Sequence, residues 1–357
     1  MKILNIITSL ILFVFILYVY FLIKNEIYIR SLHFIKPNKS LIKTSGPFIT
    51  SNGIQIFNYN PSIYKLNNGS VITVSRLSGH SNLFRQNKCM KSIKTKFIYD
   101  EEIDKNIKLF PINKQRTASL LMIEDSSNHR FVVSLPEYVD YKSKYIGMED
   151  PRIFEFNNEL WIYFHDNGNV MKNKRKNNIV IAKLKDPSNS IYLFTDKMSN
   201  MEKNWMPFVY NNELYIEYSL CPHVILKPDL QTGYSPIVYT SYTKFSEKRT
   251  LGGGSPSVKI YVKGIGYYLG FGHTRGKYGI VCVRKNFFYI FQNKPPFNII
   301  WFGPELNMEQ NHKNIEFGTG LLVKDNIVYV SYGIDDCYGK INEYKLEDVI
   351  KDFLDTL

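Results

Sequence analysis

Alanine is almost absent from these 357 residues, and only 4 cysteines occur, Cys89, Cys221, Cys282 and Cys337. Little alanine beside abundant Tyr, Phe, Ile and Val favours strands over helices. The cysteines form no CxxC and no Cys/His cluster with zinc spacing, so no structural metal is expected and no disulfide framework is required. The triple glycine Gly252 to Gly254 lacks the following Lys and helix of a P-loop, which excludes nucleoside triphosphate binding of that kind. Helical periodicity is missing except at the two ends. Basic helices and aromatic RNA-binding strand motifs are missing too, so no nucleic-acid partner is expected. No motif asks for a cofactor.

What is present begins with a net charge of +13. Its lysines and arginines are scattered through Asn-rich stretches, which is how a solvated surface reads. Residues Ile3 to Ile23 are nearly unbroken apolar sequence, long enough to cross a hydrocarbon core of ~30 Å as a helix. No small-residue cleavage site follows. The expectation is therefore a single-pass membrane anchor over residues 1–24 and a linker over 25–50. Lys24, Arg30, Lys36, Lys39 and Lys43 follow the apolar run while only Lys2 precedes it, a bias that favours a cytosolic body. The sequons at Asn38 and Asn68 point the other way. The side of the membrane stays open.

One pattern then recurs five times, starting at Asn60, Asp150, Met206, Ser255 and Gly318. Each copy has a Pro or Gly start, a short apolar strand, a turn of Asn, Gly or Asp, and an alternating aromatic strand. Polar residues close each copy: Arg76; His165 and Asp166; His223; His273 and Arg275; Asp335 and Asp336. A hairpin repeated at intervals suggests radial packing, because one hairpin alone exposes an apolar face. The fold expected is all-β, a five-bladed β-propeller over residues 51–342 with a helical tail over 343–357; a β-sandwich is the alternative. In a propeller the inner strands converge, so residues distant in sequence share one axial pocket.

The ordered series "NPSI", "GMEDPRI", "EKNWMPF", "YSLCPHVIL", "GGGSPSV…GFGHTR" and "FGTGLLV…YGIDD" resembles glycoside hydrolase family 130, the five-bladed mannoside phosphorylases and hydrolases, and the related β-1,2-mannosyltransferases. The similarity runs from about residue 56 to 340. Its most specific element is G-x-E-D-P-R, and "YGxxD" is the second. The resemblance implies that Asp150 is the proton donor and that Asp336 binds sugar hydroxyls where the bond is cleaved or made. It places Asn60 and Arg76 in the same subsite. Arg152, Lys203, His223, His273 and Arg275 are candidates for holding substrate or phosphate. "KNWMPF" and "YSLCPHVIL" depart from the usual phosphorylase strings. Implied partners are a mannoside or other glycan, a sugar phosphate or nucleotide sugar, and inorganic phosphate. The activity implied is glycosyl transfer or phosphorolysis; a hydrolase or a non-catalytic glycan-binding propeller is the alternative.

The residues themselves fit an inverting transfer. Glycosyl transfer ordinarily needs two carboxylates. An anionic acceptor arrives already nucleophilic, so one acid and a basic cage suffice. A hydrolase would need a further base, with Asp166, Asp336 or Glu316 as candidates. Regular alternation along the strand would turn Glu149 away if Asp150 faces the pocket. Pro151 is expected to confine Asp150 to extended backbone angles.

Overall fold

The computed structural model describes residues 34–42, 46–79, 89, 96–108, 117–127, 129–133, 145–167, 178–199, 202–242, 250–278, 281–309 and 315–357, with residues 7, 10–20 and 23. Five mainly antiparallel blades follow one another along the chain, preceded by β1 (Lys39–Ile42) and the short β2 (Phe48–Ile49); the first two blades lie in one ten-stranded sheet, joined where residues 117–119 pair parallel with residues 145–147. Blade 1 runs from β3 (Gln55–Lys65) to β4 (Val71–Gly79). The short β5 (Ile98–Tyr99) and helix α1 (Glu101–Lys108) intervene before its outer strands, β6 (Thr117–Glu124) and β7 (Arg130–Val133). Blade 2 holds β8 (Tyr145–Phe156), β9 (Glu159–Asn167), β10 (Asn178–Lys183) and β11 (Asp186–Leu193). Blade 3 holds β12 (Met206–Tyr210), β13 (Glu213–Leu220), β14 (His223–Leu226) and β15 (Ile237–Ser241). In blade 4 the inner position is shared by β16 (Thr250–Gly253) and β17 (Val258–Val262), both paired with β18 (Ile265–Tyr278). Its outer strands are β19 (Val281–Gln292) and β20 (Ile299–Phe302).

Blade 5 closes the ring with a strand from the other end of the chain. Its order is β21 (Glu316–Lys324), β22 (Ile327–Ile334), β23 (Tyr338–Lys345) and then β1. The linker expected over 25–50 therefore contains a blade strand, Lys39–Ile42, paired antiparallel with residues 340–343. The tail is helical as α2 (Leu346–Val349) and α3 (Lys351–Leu354), although residues 343–345 still belong to β23. Phe353 of α3 packs edge-on to Tyr267 and tilted against Trp301, so the tail covers the base of blade 4.

Two consequences of local chemistry set this geometry. The Asn157–Asn158, Asn211–Asn212 and Asp325–Asn326 pairs all have positive φ, as two-residue primed hairpin turns require and as Asn and Asp tolerate. The apolar faces then bury between blades. Leu121 and Ile123 meet Ile162, Phe164 and Val180 between blades 1 and 2, and Leu269 and Phe271 meet Val330 and Tyr332 between blades 4 and 5. At the seam between blades 5 and 1 small residues allow close approach: Thr319 donates to the Pro61 carbonyl at 2.7 Å.

The expected anchor falls partly outside the described residues. Residues 10–20 are helical with nearly all side chains exposed, and among the described residues no helix is long and apolar enough to cross a membrane. Cys89 and Cys337 form a disulfide, which the sequence did not require.

Candidate active site

Asn60 and Asp150 lie midway along β3 and β8, the first strands of their blades, and Asn204 just precedes β12; all three have positive φ, of 51, 49 and 62. Register shifts between Tyr59 and Ser62 and between Glu149 and Arg152 mark bulges around the first two. A bulge suspends strict alternation, and this corrects two expectations. Asp150 is left-handed rather than extended despite Pro151, a strain of the kind kept at functional sites. Glu149 is not turned away: it is buried on the same side as Asp150.

Both carboxylates meet one arginine. Arg76 Nη2 lies 2.6 Å from Glu149 and Nη1 lies 3.4 Å from Asp150. Its Nε donates to the Ser119 hydroxyl at 2.6 Å. Asn60 donates its amide N–H to Asp150 Oδ1 at 2.8 Å, and Lys203 Nζ stands 3.4 Å from Glu149. Burial pushes the Asp150 carboxyl up, but positive fields, that of Arg76 foremost and those of Lys203 and Arg152 with it, outweigh burial and hold the group well below the usual carboxylate range. Asp336 sits in the turn after β22 with φ 58, near enough to Tyr59 and Arg76 for its charge to bear on both. Asn60, Arg76, Asp150, Lys203 and Asp336 thus form one neighbourhood.

Arg152, His223 and Arg275 stand differently. Arg152 is completely buried: it donates to the Gly254 carbonyl, to the Asp150 carbonyl at 2.9 Å and to Asn204 Oδ1 at 2.9 Å. It holds the backbone that carries Asp150 and is not placed to grip substrate. His223 is likewise fully buried, with Nδ1 on the Phe297 carbonyl at 2.7 Å and Nε2 on Glu217 at 2.9 Å. It begins the third strand of its blade, whereas the axial residues of the other blades close the second strand. Arg275 is exposed near the site end of β18. His273 on the same strand is buried against Phe317, and burial, reinforced by Arg284, Arg152 and Arg275, pushes it down to about 3. A neutral His273 suits a sugar hydroxyl better than an anion.

Besides Glu149, two residues outside the expected set join the cluster, Asn204 and His165. Asn204 donates its backbone N–H to His165 Nε2 at 3.1 Å, so the neutral ring carries its proton on Nδ1. That nitrogen is buried without a hydrogen-bond partner among the described residues. Burial first, then Arg152, keeps His165 far below its ordinary value. Strand-end position was the signal available for His165; nothing in the sequence marked the tautomer. Asp166 faces outward instead, accepting from Tyr192 at 2.9 Å, and burial raises it to about 6. Glu316 is occupied by the Met308 and Glu309 backbone N–H groups at 2.7 and 3.2 Å. Among the described residues no group of three His, Cys, Asp or Glu could hold a metal ion.

No protein-family model and no curated protein matches the chain. Solved structures do. The chain is similar to the β-1,2-mannobiose phosphorylase of Listeria innocua in complex with β-1,2-mannobiose, at 15% identity and TM-score 0.54, covering 88% of this chain and 98% of that one. It is similar to a glycosyl hydrolase from Bacteroides ovatus at 16% identity and TM-score 0.52, covering 88% and 94%. A structure from the GH130 family of mannoside phosphorylases, which contains hydrolases targeting β-1,2 mannosidic linkages in Candida mannan, matches at 14% identity and TM-score 0.50, covering 87% and 91%. At such identities the likeness is one of fold, and this chain has the five-bladed propeller fold of the GH130 mannoside phosphorylases and glycoside hydrolases.

Proposed function

We propose that this protein is a carbohydrate-active enzyme that moves mannosyl groups with inversion, using Asp150 as its single acid/base. The observation that carries the reading is the axial cluster itself, in which Asn60 donates to Asp150 at 2.8 Å while Arg76 spans Asp150 and Glu149. The fold shared with mannoside phosphorylases supports mannosides as the substrate class.

The direction of chemistry follows from charge. Asp150 rests as a carboxylate, ready to take the proton of an acceptor hydroxyl as that oxygen attacks the anomeric carbon. The donor's phosphate or nucleotide then leaves from the opposite face. Phosphorolysis needs Asp150 protonated, and a bound phosphate would favour that by offsetting Arg76 and Lys203. Synthesis from a mannosyl phosphate or nucleotide sugar asks for no such change, so the transferase direction is the one proposed. The apolar run Ile3 to Ile23 supports an enzyme anchored at a membrane. A hydrolase needs a second base; Asp166 and Glu316 are both engaged elsewhere, which leaves Asp336 as its one remaining candidate.

The test is to incubate the full chain with mannose 1-phosphate or GDP-mannose and a mannoside acceptor, and separately with mannobiosides and phosphate. Oligosaccharide or sugar phosphate should form, and Asp150→Asn should slow its formation by about 10²–10⁴-fold. Glycan binding with every donor left intact points to a non-catalytic propeller and sinks the proposal.

A further inference from the structure

The disulfide and the two sequons bear on one question, the compartment in which this propeller folds. Cys89 and Cys337 are joined across 248 residues of chain and are buried with Phe57 and Tyr59. Disulfides of this structural kind form and persist in oxidising compartments and are rare in a reducing cytosol.

Folding treats the sequons differently. Asn68-Gly69-Ser70 lies in the turn between β3 and β4, closed by Leu66 N–H to the Ser70 carbonyl at 2.8 Å. Asn68 is exposed, and its side-chain oxygen accepts the Ser70 N–H at 3.0 Å. This Asx turn occupies the carbonyl and leaves the amide nitrogen outside. The space around Gly69 is open. The turn ends the hairpin opposite to Asn60 and Arg76, so a bulky group there leaves the axial site clear. Asn38 serves the fold instead. Its side-chain oxygen accepts the Lys345 N–H at 3.1 Å, its own N–H donates to the Glu343 carbonyl at 2.7 Å, and Lys39 and Ser40 enter β1.

We infer that the propeller matures in an oxidising, glycosylating compartment and that Asn68 is its N-glycan acceptor. The Asn68 amide nitrogen displaces the pyrophosphate from C1 of a lipid-linked oligosaccharide: an N–C bond forms, the C–O bond breaks, and the amide proton is lost. The Cys89 and Cys337 thiols give two electrons and two protons to a lumenal disulfide carrier. This orientation is opposite to that favoured by the lysines after the apolar run, and it stands independently of the catalytic proposal.

The test expresses the full chain in a eukaryotic cell and analyses it without reduction. The wild type should show an endoglycosidase-sensitive mobility shift. Asn68→Gln and Ser70→Ala should lose it, Ser70→Thr should keep it, and so should Ser40→Ala, which leaves the Asn38 hydrogen bonds in place. Mass spectrometry should recover the linked Cys89 and Cys337 peptides. A shift that survives Asn68→Gln, or no shift at all, overturns the acceptor assignment. Alkylation of both cysteines in the unreduced protein overturns the compartment.

Discussion

At the scale of single residues, Asp150 and Glu149 show what a bulge does to a pattern. Their types and the Asp-Pro-Arg context were legible; their direction was not, because it depended on the register shift between β8 and β9. Asp150→Asn should keep the hydrogen bond from Asn60 and lose about 10²–10⁴-fold in turnover, read as product formed per enzyme. Arg152 is a different case. Arg152→Ala would strand the Asp150 and Gly254 carbonyls and Asn204, and should cost about 3 kcal/mol or more in urea unfolding. Asp166 gives a pH signature. Its folded value of about 6 lies above the ordinary 3.8, so the folded state binds the proton more tightly than the unfolded one. Its contribution is most favourable below the unfolded value and is lost as pH rises to about 6. Asp166→Asn keeps an acceptor for Tyr192 and should remove that loss, at most about 3 kcal/mol at pH 7. Unfolding at pH 4 and 7 checks it: a variant with the wild-type pH slope would refute the account.

At the scale of elements, the glycine of "YGxxD" acquires a reason. A Cβ on Gly333 of β22 would fall 1.7 Å from Asn60 Oδ1, so blade 5 must present a bare backbone to let blade 1 place Asn60 on Asp150. Gly333→Ala should displace Asn60 and lower turnover well before it unfolds the protein; equal activity at equal Tm would contradict this. Gly147 acts similarly before the Glu-Asp pair. Its φ of 99 and the Ser119 carbonyl, which a Cβ would meet at 2.0 Å, admit no side chain. His223 illustrates the converse. The polar strand ends read from the sequence pooled second and third strands, and only pairing separates them: His223 opens β14, opposite Leu220 of β13.

At the scale of the molecule, the ring is closed by sewing β1 onto β23. A chain that begins at residue 34 should keep the Tm of one that retains the linker, while a chain that begins at residue 46 should melt several degrees lower. Such a chain leaves β23 with an unpaired edge. A thermal melt of the two decides it, and equal Tm values would mean that β1 contributes nothing. By itself the sequence determined the strand-rich class and the five hairpins, since these rest on periodicity and turn chemistry; Asn60, Arg76, Asp150, Lys203 and Asp336 were marked by the motifs that resemble glycoside hydrolase family 130. Only the tertiary structure decided that Glu149 joins Asp150, that Arg152 supports the backbone, that His223 is buried and that Cys89 meets Cys337. Each of these depends on contacts between residues distant in sequence or on a bulge that shifts register, and neither leaves a periodic trace along the chain.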